Sequence, residues 1–157
     1  MRCEEEPHRL RLNMPATHSY GRMARQMVRQ FALKEGLPEK EIETVEFVAG
    51  ELLDNAVDHG GGGGARELAD LEGNVEMRLR LDLNDGGWQV SVADQGGAEP
   101  GEVQALVQPP DGLPNLDDER GRGFFLLAGM VDELQVALSP DGLGLVLKAS
   151  RIYAEPA

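Results

Sequence analysis

The sequence contains a single cysteine, Cys3, so no internal disulfide can form. Neither a Cys-x-x-Cys pair nor a Cys/His cluster is present, which argues against a zinc site. No apolar run approaches the length of a membrane span, and the start Met-Arg-Cys-Glu-Glu-Glu lacks a signal peptide's apolar core. A soluble, cytoplasmic protein is expected. Basic residues are scarce: 15 Lys and Arg stand against 28 Asp and Glu, a net charge of −13. That balance argues against direct binding to nucleic acid or to anionic membranes, and it suits either a partner with a basic patch or solubility alone. A Walker loop is also missing, and Gly121-Arg122-Gly123 does not extend into a dinucleotide fingerprint. What remains is a chain of 157 residues, a length that suits one domain with a self-sufficient core.

The most informative stretch is Glu51 to Gly60, Glu-Leu-Leu-Asp-Asn-Ala-Val-Asp-His-Gly. It ends an amphipathic helix expected from Pro38 to about Asp58, with Glu39 and Glu41 in a favourable first turn. On a helical wheel Thr44, Asn55 and Asp58 fall within about 40° of Glu51. Ile42, Val45, Ala49, Leu52 and Ala56 gather on the opposite side. One side packs, while the other sets a carboxylate and a carboxamide one turn apart. Asn is a poor helix-interior residue, because its side chain competes for backbone hydrogen bonds.

Elsewhere the pattern alternates between strands and helices. Residues 1–7 read as a flexible polar tail, and 8–152 as a single domain. His8 to Asn13 fits a short strand. Tyr20, Met23, Ala24, Met27, Phe31 and Ala32 recur at helical spacing between Ser19 and Glu35. Thr17 or Ser19 can cap that helix, and Gly36 can stop it. The five glycines Gly60 to Gly64 end the second helix, and 60–74 reads as a mobile loop. Val75 to Leu83 alternates strictly; Asn84-Asp85-Gly86-Gly87 turns the chain, and Trp88, Val90 and Val92 begin the return strand. Asp94 shares their parity and so faces the buried side, where a carboxylate needs a partner. Residues 95–120 carry no dominant period and read as either a disordered loop or a functional lid. An apolar helix from Phe124 to about Val131 follows Gly121-Arg122-Gly123, whose glycines would let backbone N–H groups approach an anion. Leu134 to Leu138, the turn Ser139-Pro140-Asp141-Gly142 and Leu143 to Ala149 form a second hairpin. The order predicts an α+β two-layer sandwich: a mixed or antiparallel sheet with helices on one face.

Three stretches, in this order and spacing, resemble the GHKL ATPase superfamily of histidine kinases, gyrase and MutL, which has the Bergerat ATP-binding fold. Glu51, Asn55 and His59-Gly60 look like its N box, Asp94-Gln95-Gly96-Gly97 its G1 box, and Gly121-Arg122-Gly123 its G2 box. The resemblance is closest to the stand-alone anti-sigma-factor serine/threonine kinases (RsbW-like), and it covers roughly residues 8–150. It implies ATP and Mg²⁺ as cofactors. Glu51 would be the general base, Asn55 the Mg²⁺ ligand, and Asp94 the acceptor of the adenine amine. Gly96 would hold the loop close to the base, and Gly121 and Gly123 would let the lid cradle the phosphates. Arg120 and Arg122 would add positive charge there, or simply be solvated. His59 is open between complementing the helix dipole and joining the site, and Asp58 reads as solvent-facing. Arg25 matches in position an arginine that the branch uses towards protein partners, and suits a solvated helix face equally well. Ala98 departs from the wider superfamily's second glycine.

The implied function is an ATP-dependent protein kinase that sequesters a sigma factor or similar regulator and phosphorylates a STAS-type antagonist, as a homodimer. The alternative is a nucleotide-gated binding module that holds its partner without phosphoryl transfer. A detached histidine-kinase ATP-binding half is disfavoured, because no phosphoacceptor helix precedes the domain.

Overall fold

The computed structural model describes residues 1–96, 100–101 and 119–154, with the backbone alone at 119–122. The described residues build a six-stranded sheet in which every neighbouring pair is antiparallel. In chain order the elements are β1 (Arg2–Glu6), β2 (Arg9–Pro15), α1 (His18–Lys34), α2 (Glu39–His59), β3 (Glu76–Asn84), β4 (Gly87–Ala93), α3 (Glu119–Ala128), β5 (Glu133–Leu138) and β6 (Leu145–Ile152). Across the sheet the strands run β1-β2-β3-β4-β6-β5. No described helix is long and apolar enough to cross a membrane.

Strict alternation makes this sheet one-sided. Leu10, Leu12 and Met14 of β2, Met77, Leu79 and Leu81 of β3, Trp88, Val90 and Val92 of β4, and Leu145, Leu147 and Ala149 of β6 are all buried. They pack against Ala24, Val28 and Phe31 of α1 and Val45, Val48, Ala49, Leu52 and Leu53 of α2. The residues between them face the opposite side, which no described helix covers. Such an arrangement is the expected two-layer sandwich.

Local chemistry fixes the helix ends. The Thr17 side chain accepts the Tyr20 N–H at 3.2 Å and caps α1. At the other end Gly36, with φ of 85°, lets the Leu37 N–H return to the Ala32 carbonyl.

Several expectations need correction. Arg2–Glu6 is a strand paired along its length with β2, not a free tail. Its glutamates mislead, because charge is how an edge strand resists further pairing. Residues 60–66 are likewise tied down. Gly64 N–H donates to the Val57 carbonyl, and His18 and Ser19 N–H donate to the Ala65 and Arg66 carbonyls, each at 2.9 Å. Helix α3 begins at Glu119, so Gly121 and Gly123 lie inside it and not ahead of it. Gly97, Ala98 and most of the expected 95–120 lid lie outside the described residues.

Candidate functional site

The C-terminal half of α2 is the scaffold. Its packed side is nailed down by Val48, Ala49, Leu52, Leu53 and Ala56, each 1 % exposed or less. That anchoring fixes the rotation of the helix and turns Glu51 and Asn55 the other way, into one cleft of about 160 Å³. Asp54, Asp58, His59, Gly123, Phe124 and Leu127 complete its lining. Phe124 and Leu127 are buried and seat α3 against α2. Asn55 is 7 % exposed, and Glu51 is half-buried.

Gly123 explains how α3 comes so close. A Cβ at this position would lie 3.2 Å from Glu51 Oε2, so any larger residue would press on the carboxylate. Of the expected phosphate-loop residues, the structure therefore brings Gly123 to Glu51. Gly121 shares the helix, and the side chains of Arg120 and Arg122 lie outside the described residues.

Asp94 is 3 % exposed and follows β4 on the buried parity, as alternation requires. Its Oδ1 accepts the Gly96 N–H at 3.0 Å and the Leu145 N–H at 3.1 Å. Three glycines make room for it. A Cβ on Gly60 would fall 2.6 Å from Asp94 Cβ, and one on Gly96 would fall 2.6 Å from the Gly60 carbonyl carbon. A Cβ on Gly144 would collide with the Asp94 backbone and carboxylate. Gln95 N–H closes the seam by donating to the Gly60 carbonyl at 3.2 Å. Asp94 thus stands directly beyond the last turn of α2. It does not line the cleft shared by Glu51, Asn55 and Gly123.

Sequence reasoning missed three contributors. Gly144 had been read as part of a strand; its only signal is a glycine interrupting an apolar run. His18 bridges α1 to the site helix, with Nε2 at 2.8 Å from Asp58 Oδ1 and Nδ1 at 3.3 Å from Asp54 Oδ1. Asp54 itself lines the cleft. Its carboxyl is held above the ordinary range by desolvation first and by the Asp58 charge, while His18 pulls the other way. Asp58 is solvent-accessible as expected, yet it serves as a tether for His18. Arg25 lies across Gly50 and reaches Glu46 at 3.7 Å, so its stem packs on α2.

By type, the donors fit a hard divalent cation. Glu51 and Asn55 offer oxygen atoms one turn apart, and Mg²⁺ characteristically takes one or two protein ligands and completes its shell from phosphate and water. Among the described residues no group of three or more His, Cys, Asp or Glu is arranged as a metal cage.

The family model for the histidine kinase-like ATPase domain matches residues 14–149. The chain belongs to that family. Among solved structures, the SiaB–SiaC complex from Pseudomonas aeruginosa contains a chain similar to it, with a TM-score of 0.65 at 21 % identity. That match covers 92 % of this chain and 90 % of the other. The RsbU and RsbW domains of Rv1364c from Mycobacterium tuberculosis match with a TM-score of 0.55 at 18 % identity. There 94 % of this ATPase-family chain is covered but only 33 % of the longer one, so it corresponds to a third of that protein. No curated protein matches the chain.

Proposed function

We propose that the chain is an ATP-dependent serine/threonine protein kinase of a partner-switching system. In this reading it phosphorylates a STAS-type antagonist and sequesters a sigma factor or similar regulator, acting in the cytoplasm as a homodimer. The observation that carries the reading is the shared cleft of Glu51, Asn55 and Gly123, with Asp94 fixed just beyond it. Family membership supplies the nucleotide.

Mg²⁺·ATP supplies a transferable phosphoryl group whose charge the metal neutralises. Asn55 would hold the metal, since a carboxamide is a ligand type suited to a hard ion. Glu51 takes the proton of the attacking serine or threonine hydroxyl, since a half-open carboxylate can both reach a protein substrate and accept a proton. Asp94 receives the adenine amine, and Gly96 keeps the following loop out of the base's way. Gly121, Gly123 and the charges of Arg120 and Arg122 would serve the phosphates. Phosphoryl transfer asks mainly for positioning and charge neutralisation, so this set suffices.

A second reading has its own supporting observation. In this reading nucleotide entry shifts α3, which comes close to Glu51 at Gly123. Such a shift would reposition Phe125 and Leu126, which are 54 % and 56 % exposed on α3. The chain would then be a nucleotide-gated binding module without transfer. Incubation with radiolabelled ATP and a STAS-domain protein encoded beside it separates the two. Label transfer that disappears in Glu51→Ala supports the kinase. Nucleotide binding without transfer in the wild type selects the module, and absence of nucleotide binding rejects both.

A further inference from the structure

The face of the sheet turned away from α1 and α2 holds a groove of about 650 Å³, the largest described. In a chain where acids outnumber bases 28 to 15, every charged residue lining that groove is a cation: Arg11, Arg78, Arg80 and Lys148. Strand register explains the clustering. Glu4, Arg11, Arg80, Ser91, Lys148 and Gln135 form one transverse row through β1, β2, β3, β4, β6 and β5. Arg11 stands directly opposite Arg80, a like-charge cross-strand pair that costs stability by itself. Carboxylates stay at the rim. Asp82 meets Arg80 at 2.7 Å, Asp141 meets Arg78 at 3.1 Å, and Glu4 meets Arg11 at 3.7 Å. Their arginines are 40–46 % exposed, so solvent weakens these pairs and a better anion can exchange into them. Lys148 joins no ion pair among the described residues. Beside these charges lie Ala93, Val146 and Leu138, the last 63 % exposed, which add apolar contact area.

We propose that this open sheet face docks a carboxylate-rich segment of a partner protein. The groove spans five strands, each about 4.8 Å from the next, so it is too broad for a single small anion. A second copy of the chain fits poorly, because a two-fold axis through the middle of the groove would set these cations against their own copies. Nucleic acid fits poorly as well, since a net charge of −13 repels a long polyanion at every other surface. A short acidic segment meets only the cationic row. The proposal is independent of the kinase reading.

Fluorescence anisotropy with a fluorescein-labelled decaglutamate peptide tests it on the full chain without nucleotide. Binding is expected at low salt and should weaken steeply as salt rises. The double variant Arg80→Glu/Lys148→Glu should lose about tenfold or more in affinity, whereas Arg22→Glu, an equal charge change per residue on α1, should stay within about twofold. Lys148→Glu alone, with its fold checked by thermal unfolding, is read in place of the double variant if that one unfolds, and should lose about threefold. No peptide binding by the wild type at low salt overturns the proposal. So does an equal loss with Arg22→Glu, which would reveal bulk charge, or displacement by inorganic phosphate at the same charge concentration. Conversion of a wild-type homodimer to monomers by Arg80→Glu/Lys148→Glu would assign the face to self-association instead. None of these outcomes bears on phosphoryl transfer.

Discussion

Glu41 and Glu51 stand on the same helix and meet opposite surroundings. Glu41 is 3 % exposed, and the sheet answers it completely. Arg151 Nε donates at 2.7 Å and its Nη2 at 3.2 Å, while the Trp88 indole N–H donates at 3.1 Å. Desolvation pushes the Glu41 carboxyl up, but the hydrogen bonds from Arg151 and Trp88 and the Arg151 charge outweigh it and hold the group below its usual range. Glu51 instead faces a cleft shared with Asn55 and Gly123. The fully buried acid is therefore the structural one. The half-open acid, one turn from a carboxamide, is the one we propose as the base.

Exchanging the two acids separates these roles most sharply. Glu51→Gln should lower phosphoryl transfer to a STAS-domain substrate by at least about a hundredfold while leaving the melting temperature nearly unchanged. Unfolded Glu51→Gln protein, or full activity, would erase the distinction. Glu41→Ala should do the reverse, costing about 3 kcal/mol in urea unfolding by leaving Arg151 without its carboxylate. That figure is at the low end for a broken buried pair, because the Arg151 side chain keeps 26 % exposure. Gly60→Ala should cost about 2 kcal/mol through overpacking against Asp94, and should weaken ATP in calorimetric titration. Gly63→Ala, which meets nothing within 4 Å, should cost about 1 kcal/mol through its left-handed backbone alone.

The smallest effect is a slope. A carboxyl with a lowered folded pKa contributes stability above its unfolded pKa of about 4.3, and that contribution disappears as pH falls through the folded value. Wild type should thus lose stability on acidification below about pH 5, and Glu41→Gln should flatten this limb. Asp82 keeps part of the slope in that variant. Desolvation raises its carboxyl, but the hydrogen bonds from Arg80 and Arg9 more than reverse this. Equal acid limbs in wild type and Glu41→Gln would show that the buried pair carries no linkage.

What was legible in the sequence followed local period. Alternation in Val75–Leu83 and Trp88–Val92 gave the hairpin and the parity of Asp94, and helical spacing turned Glu51 and Asn55 together. The Thr17 cap and the Gly36 stop were equally local. Glu41 does stand in the first turn of its helix, but its buried ion pair went unseen, because Arg151 is 110 residues away and a first-turn glutamate has an adequate local explanation. The cationic row was invisible for the same reason, since it exists only once six strands share a register. Polarity hid β1, and the glycines at 60–62 suggested slackness where they provide fit.

That fit has an outcome for how the molecule can change. Around Asp94 the carboxylate side chain lies against glycine main chain at Gly60 and Gly144, and it accepts the Gly96 and Leu145 N–H groups. Glycine walls have no rotamers to reshuffle, so on those sides the carboxylate has no soft neighbour. Its backbone continues the β4–β6 ladder, with the Asp94 N–H donating to the Leu145 carbonyl at 2.8 Å, so a slip of that ladder would carry the carboxylate with it.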